Sequence, residues 1–276
     1  MRIDGPARFS RRTALALTVA AAGSAIAGPA DAVGAVKHYI IIELLNGADQ
    51  LWLERWYVTF HAREVRRAFK AWQRNYVSFR SYLPPAEAVQ RYRVANGRMT
   101  EIHFDSLADY RETRPNNVYG ELSSYIAPPG GWTGERRIYE STTATVPVNP
   151  QHLFLSRPTP HKENPYLRWL VFYRYPPGVT AQAGDQWYRT VHAKELAALP
   201  GLKRFGLYET VTERAEFPRV AEFWFDDYAA WRAAFIPGPR TTPPPWGGTF
   251  PYVETLSMFI GENPDIDFVN DRRSVP

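Results

Sequence analysis

The sequence predicts an α+β chain made of two β-α-β-β-α-β modules whose sheets pack face to face, and three observations carry that prediction. The stretch Trp56-Tyr57-Val58-Thr59-Phe60-His61-Ala62-Arg63-Glu64 returns as Trp187-Tyr188-Arg189-Thr190-Val191-His192-Ala193-Lys194-Glu195, identical at six of nine positions and 131 residues on (61 to 192). A β-branched and aromatic run of strand length stands before each copy, Lys37–Leu45 and Arg168–Tyr175, at the same offset (37 to 168). A third pair, Arg98–Arg111 and Arg219–Arg232, matches at an offset of 121 (101 to 222). Self-similarity at several landmarks in one order is the signature of a duplicated module.

Taken in order, the chain opens on Ser10-Arg11-Arg12-Thr13, an alanine-rich apolar run from Ala14 to Ala27, and Ala30-Asp31-Ala32. Paired arginines, a short apolar run and a small-x-small site predict a twin-arginine (Tat) type signal over residues 1–32, and a periplasmic or secreted destination. The run is shorter than the ~20 residues a membrane span needs. Residues 1–32 hold four Arg and two Asp, so cleavage lowers the formal charge from +5 to +3. That excess is too small for an electrostatic nucleic-acid footprint. The sequence has no cysteine, which excludes disulfides and thiolate chemistry. With 45% apolar and 14% aromatic residues it can fill a large core.

The first module is expected over residues 33–147 and the second over 167–262, with a proline-rich connector at 148–166 and a solvated polar tail at 263–276. In each, the repeated stretch suits a helix, with Tyr57, His61 and Glu64 (or Tyr188, His192 and Glu195) along one side by i,i+3 and i,i+4 spacing. Tyr76–Tyr82 and Leu202–Glu209 read as the next strands, the second after the Pro200-Gly201 stop. The third strands end at Asp105 and Asp226, expected to cap the following helices. Arg137–Val146 and Tyr252–Ile260 close the modules. A ferredoxin-like sheet with both helices on one face leaves its other face to be covered, and two copies can cover each other.

On Trp-x-x-x-x-His-Ala, Leu199-Pro200-Gly201-Leu202-Lys203-Arg204-Phe205 and Glu222-Phe223-Trp224-Phe225-Asp226-Asp227, the chain resembles the EthD-like branch of the dimeric α+β barrel superfamily. The likeness spans about 37–147 and 167–262 and is stronger in the second copy, since the first lacks the Leu-Pro-Gly turn. It implies an intrachain barrel. It leaves the reaction open, because the superfamily includes cofactor-free monooxygenases, lactone isomerases, polyketide cyclases, aldoxime dehydratases and haem peroxidases.

The candidate catalytic residues are His61 and His192 with Tyr57 and Tyr188: an imidazole titrating near neutrality beside a phenol that can polarise an oxygen. The competing reading is that these side chains only pack helix on sheet. Candidate substrate-binding residues are Trp56 and Trp187, together with Glu101, His103, Glu222 and Trp224, which share one face of the third strands by alternation. Glu43 and Arg174 are expected as ion partners for the two glutamates inside the barrel. No HExxH, HxH, phosphate loop or nucleophile elbow is written, so no metal is expected. The first expectation is an exported cofactor-independent enzyme doing proton-transfer chemistry on an aromatic or hydrophobic small molecule: a lyase, dehydratase, isomerase or cyclase. An aldehyde-releasing carbon–carbon lyase acting on lignin-derived aromatics falls within that class. The alternatives are a haem oxidoreductase with His61 or His192 as axial ligand, and a non-catalytic carrier of hydrophobic ligands. The arms carrying Trp132, Trp246, Phe250 and Tyr252 are expected to cross between subunits of a homodimer or larger homo-oligomer.

Overall fold

The computed structural model describes residues 34–45, 48–69, 72–113, 128, 138–212 and 215–268. The signal-type segment, Trp132 and the last eight residues of the tail lie outside them. The first half runs β1 (Val36–Leu44), α1 (Gln50–Trp56), a π-helical turn (Tyr57–His61), α2 (Ala62–Ala68), β2 (Gln73–Arg80), α3 (Ala86–Tyr92), β3 (Gly97–Phe104), α4 (Leu107–Glu112) and β4 (Tyr139–Pro147). After β5 (His152–Ser156), the second half repeats this, without a helix matching α3 among the described residues, as β6 (Leu167–Arg174), α5 (Ala181–Trp187), a π turn (Tyr188–His192), α6 (Ala193–Ala197), β7 (Leu202–Glu209), β8 (Arg219–Phe225), α7 (Tyr228–Phe235) and β9 (Glu254–Gly261), with β10 (Ile266–Asp267) last. The predicted α+β class and both modules are present. The caps shift by one residue: Ser106 and Asp227, not Asp105 and Asp226, accept the backbone N–H groups of Asp109 and Ala230.

Two antiparallel five-stranded sheets, ordered β10-β2-β3-β1-β4 and β5-β7-β8-β6-β9, pack face to face. Their shared interior contains Tyr39, Ile41, Met99, Leu170, Phe172 and Met258, and the helices cover the outer faces. The connector and the tail each contribute a strand. The connector is not only a linker, because its β5 pairs with β7 of the second sheet. The tail is not wholly solvated, because β10 pairs with β2 of the first sheet and Phe268 stacks near Tyr76, ring centroids 5.3 Å apart. Each half therefore gives its last strand to the other half's sheet. The far edges are also closed reciprocally: Ala95 N–H donates to Ser257 O at the edge of β9, and Val211 N–H to Thr145 O at the edge of β4.

The barrel interior holds four buried charges. The Arg168 guanidinium on β6 donates to Glu222 on β8 (3.0 Å) and to Glu101 on β3 (2.8 Å), tying the two sheets together. Lys37 on β1 donates to the Tyr208 hydroxyl (3.1 Å), which donates on to Glu222 (3.0 Å). Lys37 and Arg168 occupy equivalent first-strand positions, as Glu101 and Glu222 do on the third strands. The expected partners, Glu43 and Arg174, instead sit near the sheet margins against Arg93 and Glu254, where water solvates them. Lys37, one strand step into the interior from the end of β1, is where the second cation is needed.

Burying a charge is tolerable only with a partner, and removing one partner costs about 3–5 kcal/mol. Arg168→Ala is therefore expected to destabilise the chain by about that amount in urea unfolding. Despite their burial, Arg168 and then His103 beside Glu101, and Arg168 and then Lys37 beside Glu222, hold both carboxyls below their usual range, Glu222 at about 2. A carboxyl depressed in the folded state contributes stability above the unfolded pKa and loses it as pH falls towards the folded one. Wild-type melting temperature should thus drop progressively below about pH 4.5, and Arg168→Ala should flatten that dependence.

Candidate functional site

Both copies of the repeated stretch depart from an α-helix at the same place. Tyr57–His61 and Tyr188–His192 are π-helical, closed by Ala62 N–H to Tyr57 O and Ala193 N–H to Tyr188 O. The repeated threonine accompanies this: Thr59 Oγ1 donates to Arg55 O, and Thr190 Oγ1 to Gln186 O. A hydroxyl that bonds the carbonyl four residues back loosens the ordinary ladder, and single π turns cluster at functional sites. The turn keeps Tyr57 and His61 together, ring centroids 5.0 Å apart, both buried against the sheet. The glutamates make their hydrogen bonds elsewhere, although the Glu195 charge still acts on His192. Glu64 pairs with Arg67 at 2.7 Å, and Glu195 accepts from Thr242 of the proline-rich arm.

Between the first sheet and its helices lies a cavity of about 180 Å³. His61 and Tyr57 reach it from the π turn, His38 from β1, Tyr76 from β2, Tyr110 from α4 and Tyr139 from β4. The His38 Nδ1 lies 2.8 Å from Thr145 Oγ1, and its ring is 5.0 Å from that of Tyr110. Trp56 packs on His61 with centroids 4.6 Å apart. The Tyr57 hydroxyl lies 2.5 Å from both the Tyr76 hydroxyl and Thr100 Oγ1. Burial, and then the neighbouring Tyr57, keep the Tyr76 phenol well above its usual range, so it stays protonated. The described lining contains no Asp, Glu, Lys or Arg.

The equivalent space in the second half is only about 20 Å³. Trp169 stands where β1 has His38, Phe205 where β2 has Tyr76, and Ala221 where β3 has Thr100. Two further rings arrive from elsewhere: Tyr92 from α3 of the first half, whose hydroxyl donates to Phe235 O (2.7 Å), and Phe250 from the arm. His192 is 2% exposed, stacks on Trp187 at 4.6 Å, and its Nδ1 has no hydrogen-bond partner among the described residues. Burial pulls its pKa down to about 4. Trp246, Phe250 and Tyr252 all pack on this half's own core, so the expected need for a neighbouring subunit to cover them is met within the chain.

The structure thus brings Tyr57 and His61 to the first cavity, with Trp56 packed on His61, and Tyr188 and His192 to its filled counterpart beside Trp187. Glu101, His103, Glu222 and Trp224 gather elsewhere, in the ion network between the sheets: Trp224 Nε1 donates to Glu222 (2.9 Å) and His103 Nε2 lies 3.4 Å from Glu101. Sequence reasoning missed His38, Tyr76, Thr100, Tyr110 and Tyr139. A position-by-position comparison of the repeats would have flagged His38 and Thr100, as a histidine opposite Trp169 and a hydroxyl opposite Ala221. Among the described residues no His, Asp or Glu group is arranged to hold a metal, and no helix is long and apolar enough to cross a membrane.

No family model matches the chain, and no curated protein matches it. Solved structures do. An anthrone oxidase-like protein aligns over 84% of this chain and 92% of its own, at 12% identity and a TM-score of 0.48. A single-residue mutant of the chlorite dismutase from Candidatus Nitrospira defluvii aligns over 83% and 92%, at 11% identity and 0.44. At these identities the likeness is one of strand and helix arrangement alone.

An NMR titration tests the state of His192. His192 should remain neutral down to about pH 4. Because its folded pKa lies below the unfolded 6.5, the stability it contributes is complete above pH 6.5 and declines as pH falls through the window to about 4. His192→Leu should remove that part of the acid dependence.

Proposed function

We propose that this chain is an enzyme that performs general acid–base chemistry on a small hydrophobic molecule in the first-half cavity. The observation that carries the reading is the contrast between the halves. One copy of the site keeps a cavity lined by two imidazoles and several hydroxyls, and the other, although it retains His192 and Tyr188, has Trp169 and Phe205 in place of His38 and Tyr76 and its space is nearly filled. A carrier of apolar ligands has no use for the imidazoles and linked phenols. In the proposed assignment His61 takes a proton from the substrate, and Tyr57 polarises the oxygen on which charge develops, within an apolar enclosure that strengthens both interactions. The reaction class is lyase, dehydratase or isomerase. The segment Arg11–Ala32 supports action outside the cytoplasm.

Haem suits the cavity poorly. At about 180 Å³ it is below the ~300–1,000 Å³ of ordinary cofactor pockets, and the His61 ring is flanked by Trp56 and Tyr57. These residues do not fit the group, and haemin added to the purified protein should develop no His61-dependent Soret band.

A panel of hydroxylated and carbonyl-bearing aromatics, followed by mass spectrometry for elimination, isomerisation or carbon–carbon cleavage, tests the assignment. With any compound that turns over, His61→Ala should lower kcat/KM by about 10²–10⁴-fold, the usual worth of a positioned acid–base group. His192→Ala should leave it within a few-fold while lowering the melting temperature. Equal activity in the two variants would remove His61 from the mechanism.

A further inference from the structure

Behind the cavity wall the hydroxyls continue in line. From Tyr76 the chain passes to Tyr57 (2.5 Å), to Thr100 Oγ1 (2.5 Å), which is also close enough to act on the Tyr76 phenol, to Ser78 Oγ (3.0 Å), and ends at Arg98 Nε (3.2 Å). Arg98 is fully buried. Its two Nη groups are held by Glu54 of α1 and by Asp265, whose two carboxylate oxygens accept at 2.7 and 2.8 Å. With both carboxylates on the Nη side, Nε–H is left aimed at Ser78. The cluster carries two carboxylates to one guanidinium, so its effect on the cavity comes from aligned O–H dipoles and not from net positive charge.

A guanidinium only donates, so Ser78 Oγ accepts from Arg98 and has one hydrogen to place. If it donates to Thr100, each hydroxyl donates to the next and Tyr76 is left to donate. If it donates to Met99 O, also in reach at 3.2 Å, each bond reverses and Tyr76 is left to accept. A ligand group that both donates and accepts satisfies the end of the chain in either direction. A hydroxyl does this; a methyl group leaves it unmet. The cavity sets the rest of the ligand. An apolar cavity of ~150 Å³ takes a benzene ring, so about 180 Å³ takes one ring with one or two small substituents. With no Lys or Arg among the described lining residues, a carboxylate or phosphate on that ring would have no permanent cation to pair with, which favours a neutral ring.

We propose that the ligand is a neutral, single-ring hydroxyaromatic compound whose hydroxyl is bound at the Tyr76–Tyr57 end of this chain, with Thr100, Ser78 and Arg98 as positioning residues. This names the substrate class for the function proposed above and rests on that reading for its catalytic meaning, but not for its test. The second half supports it: with Phe205 and Ala221 in place of Tyr76 and Thr100, no such chain exists there, and the space is nearly filled.

Calorimetric titration of the intact protein with phenol, toluene and benzoate decides the matter without turnover, so failure of the His61 assignment and failure of this one are separate results. Phenol should bind about tenfold more tightly than toluene, the worth of one net hydrogen bond or slightly more, and benzoate more weakly than either. Thr100→Val and Tyr76→Phe should each bring the phenol-to-toluene ratio close to one while toluene affinity is retained, which shows the cavity intact. If one of these variants loses toluene binding as well, Ser78→Ala takes its place with the same expectation. Equal binding of phenol and toluene by the wild type, a ratio that survives the substitutions, or no binding of either compound would overturn the proposal.

Discussion

The Arg168 guanidinium, clasped by one glutamate from each sheet, is the constraint on which the rest of the molecule depends. Charges buried between two sheets must meet their partners to within a few tenths of an ångström, so this cluster fixes how the sheets lie on each other. It also fixes the site, through the simplest rule of a strand. On β1, Lys37 points into the barrel and its neighbour His38 therefore points to the helices. On β3, Glu101 points inward, and Thr100 and Ile102 on either side of it face the cavity and its hydroxyls. One residue of slip would exchange the two sets, placing the ions under the helices and the site in the barrel.

Duplication explains why one half could change freely. A single module of this kind must find a second copy for its bare sheet face, whereas here the second copy is covalently attached. Once present, it needs to supply only a surface and some connections. The second half has taken that course. Its cavity is filled by Trp169, Phe205, Phe223, Phe235 and Phe250, rings that stack or meet edge to face, with His192 held neutral among them. It still serves the first half through Asp265, which steadies Arg98 from the segment that follows the second copy.

The repeat made the fold legible. The order of the module elements, the positions of their eight strands to within three residues at either end, and the sheet-to-sheet packing follow from three matched stretches, whereas α3, β5 and β10 do not. It also led to Tyr57 and His61. What it concealed is as instructive. A search for repetition finds what the two copies share, and the rest of this site is made of what they do not: His38, Tyr76 and Thr100 have no identical counterpart in the second copy. The π turns were hidden because residues 57 and 61 share a face in either kind of helix, so their spacing cannot tell the two apart. Glu43 and Arg174 lie on plausible strands for the barrel ions, but alternation alone does not say how far along a strand the interior extends. Nor does a short polar or proline-rich segment announce that it will be a strand, since β5 and β10 owe their conformation to the edges that receive them.

That last exchange sets where the chain can be regarded as divisible. Pro147 and Gly261 end the two sequence repeats, yet in each case the sheet to which the next strand belongs is the other one. Covalent halves and structural halves are therefore different objects. Fragments separated between β5 and β6 would each keep their own helices and four strands of their sheet, and would expose β2 in one and β7 in the other as a bare edge with unanswered N–H and C=O groups. The strand missing from each would be in the other fragment. The two copies are arranged like hands that each hold the other's wrist, and the modules that gave rise to this chain can no longer be recovered from it by cutting between them.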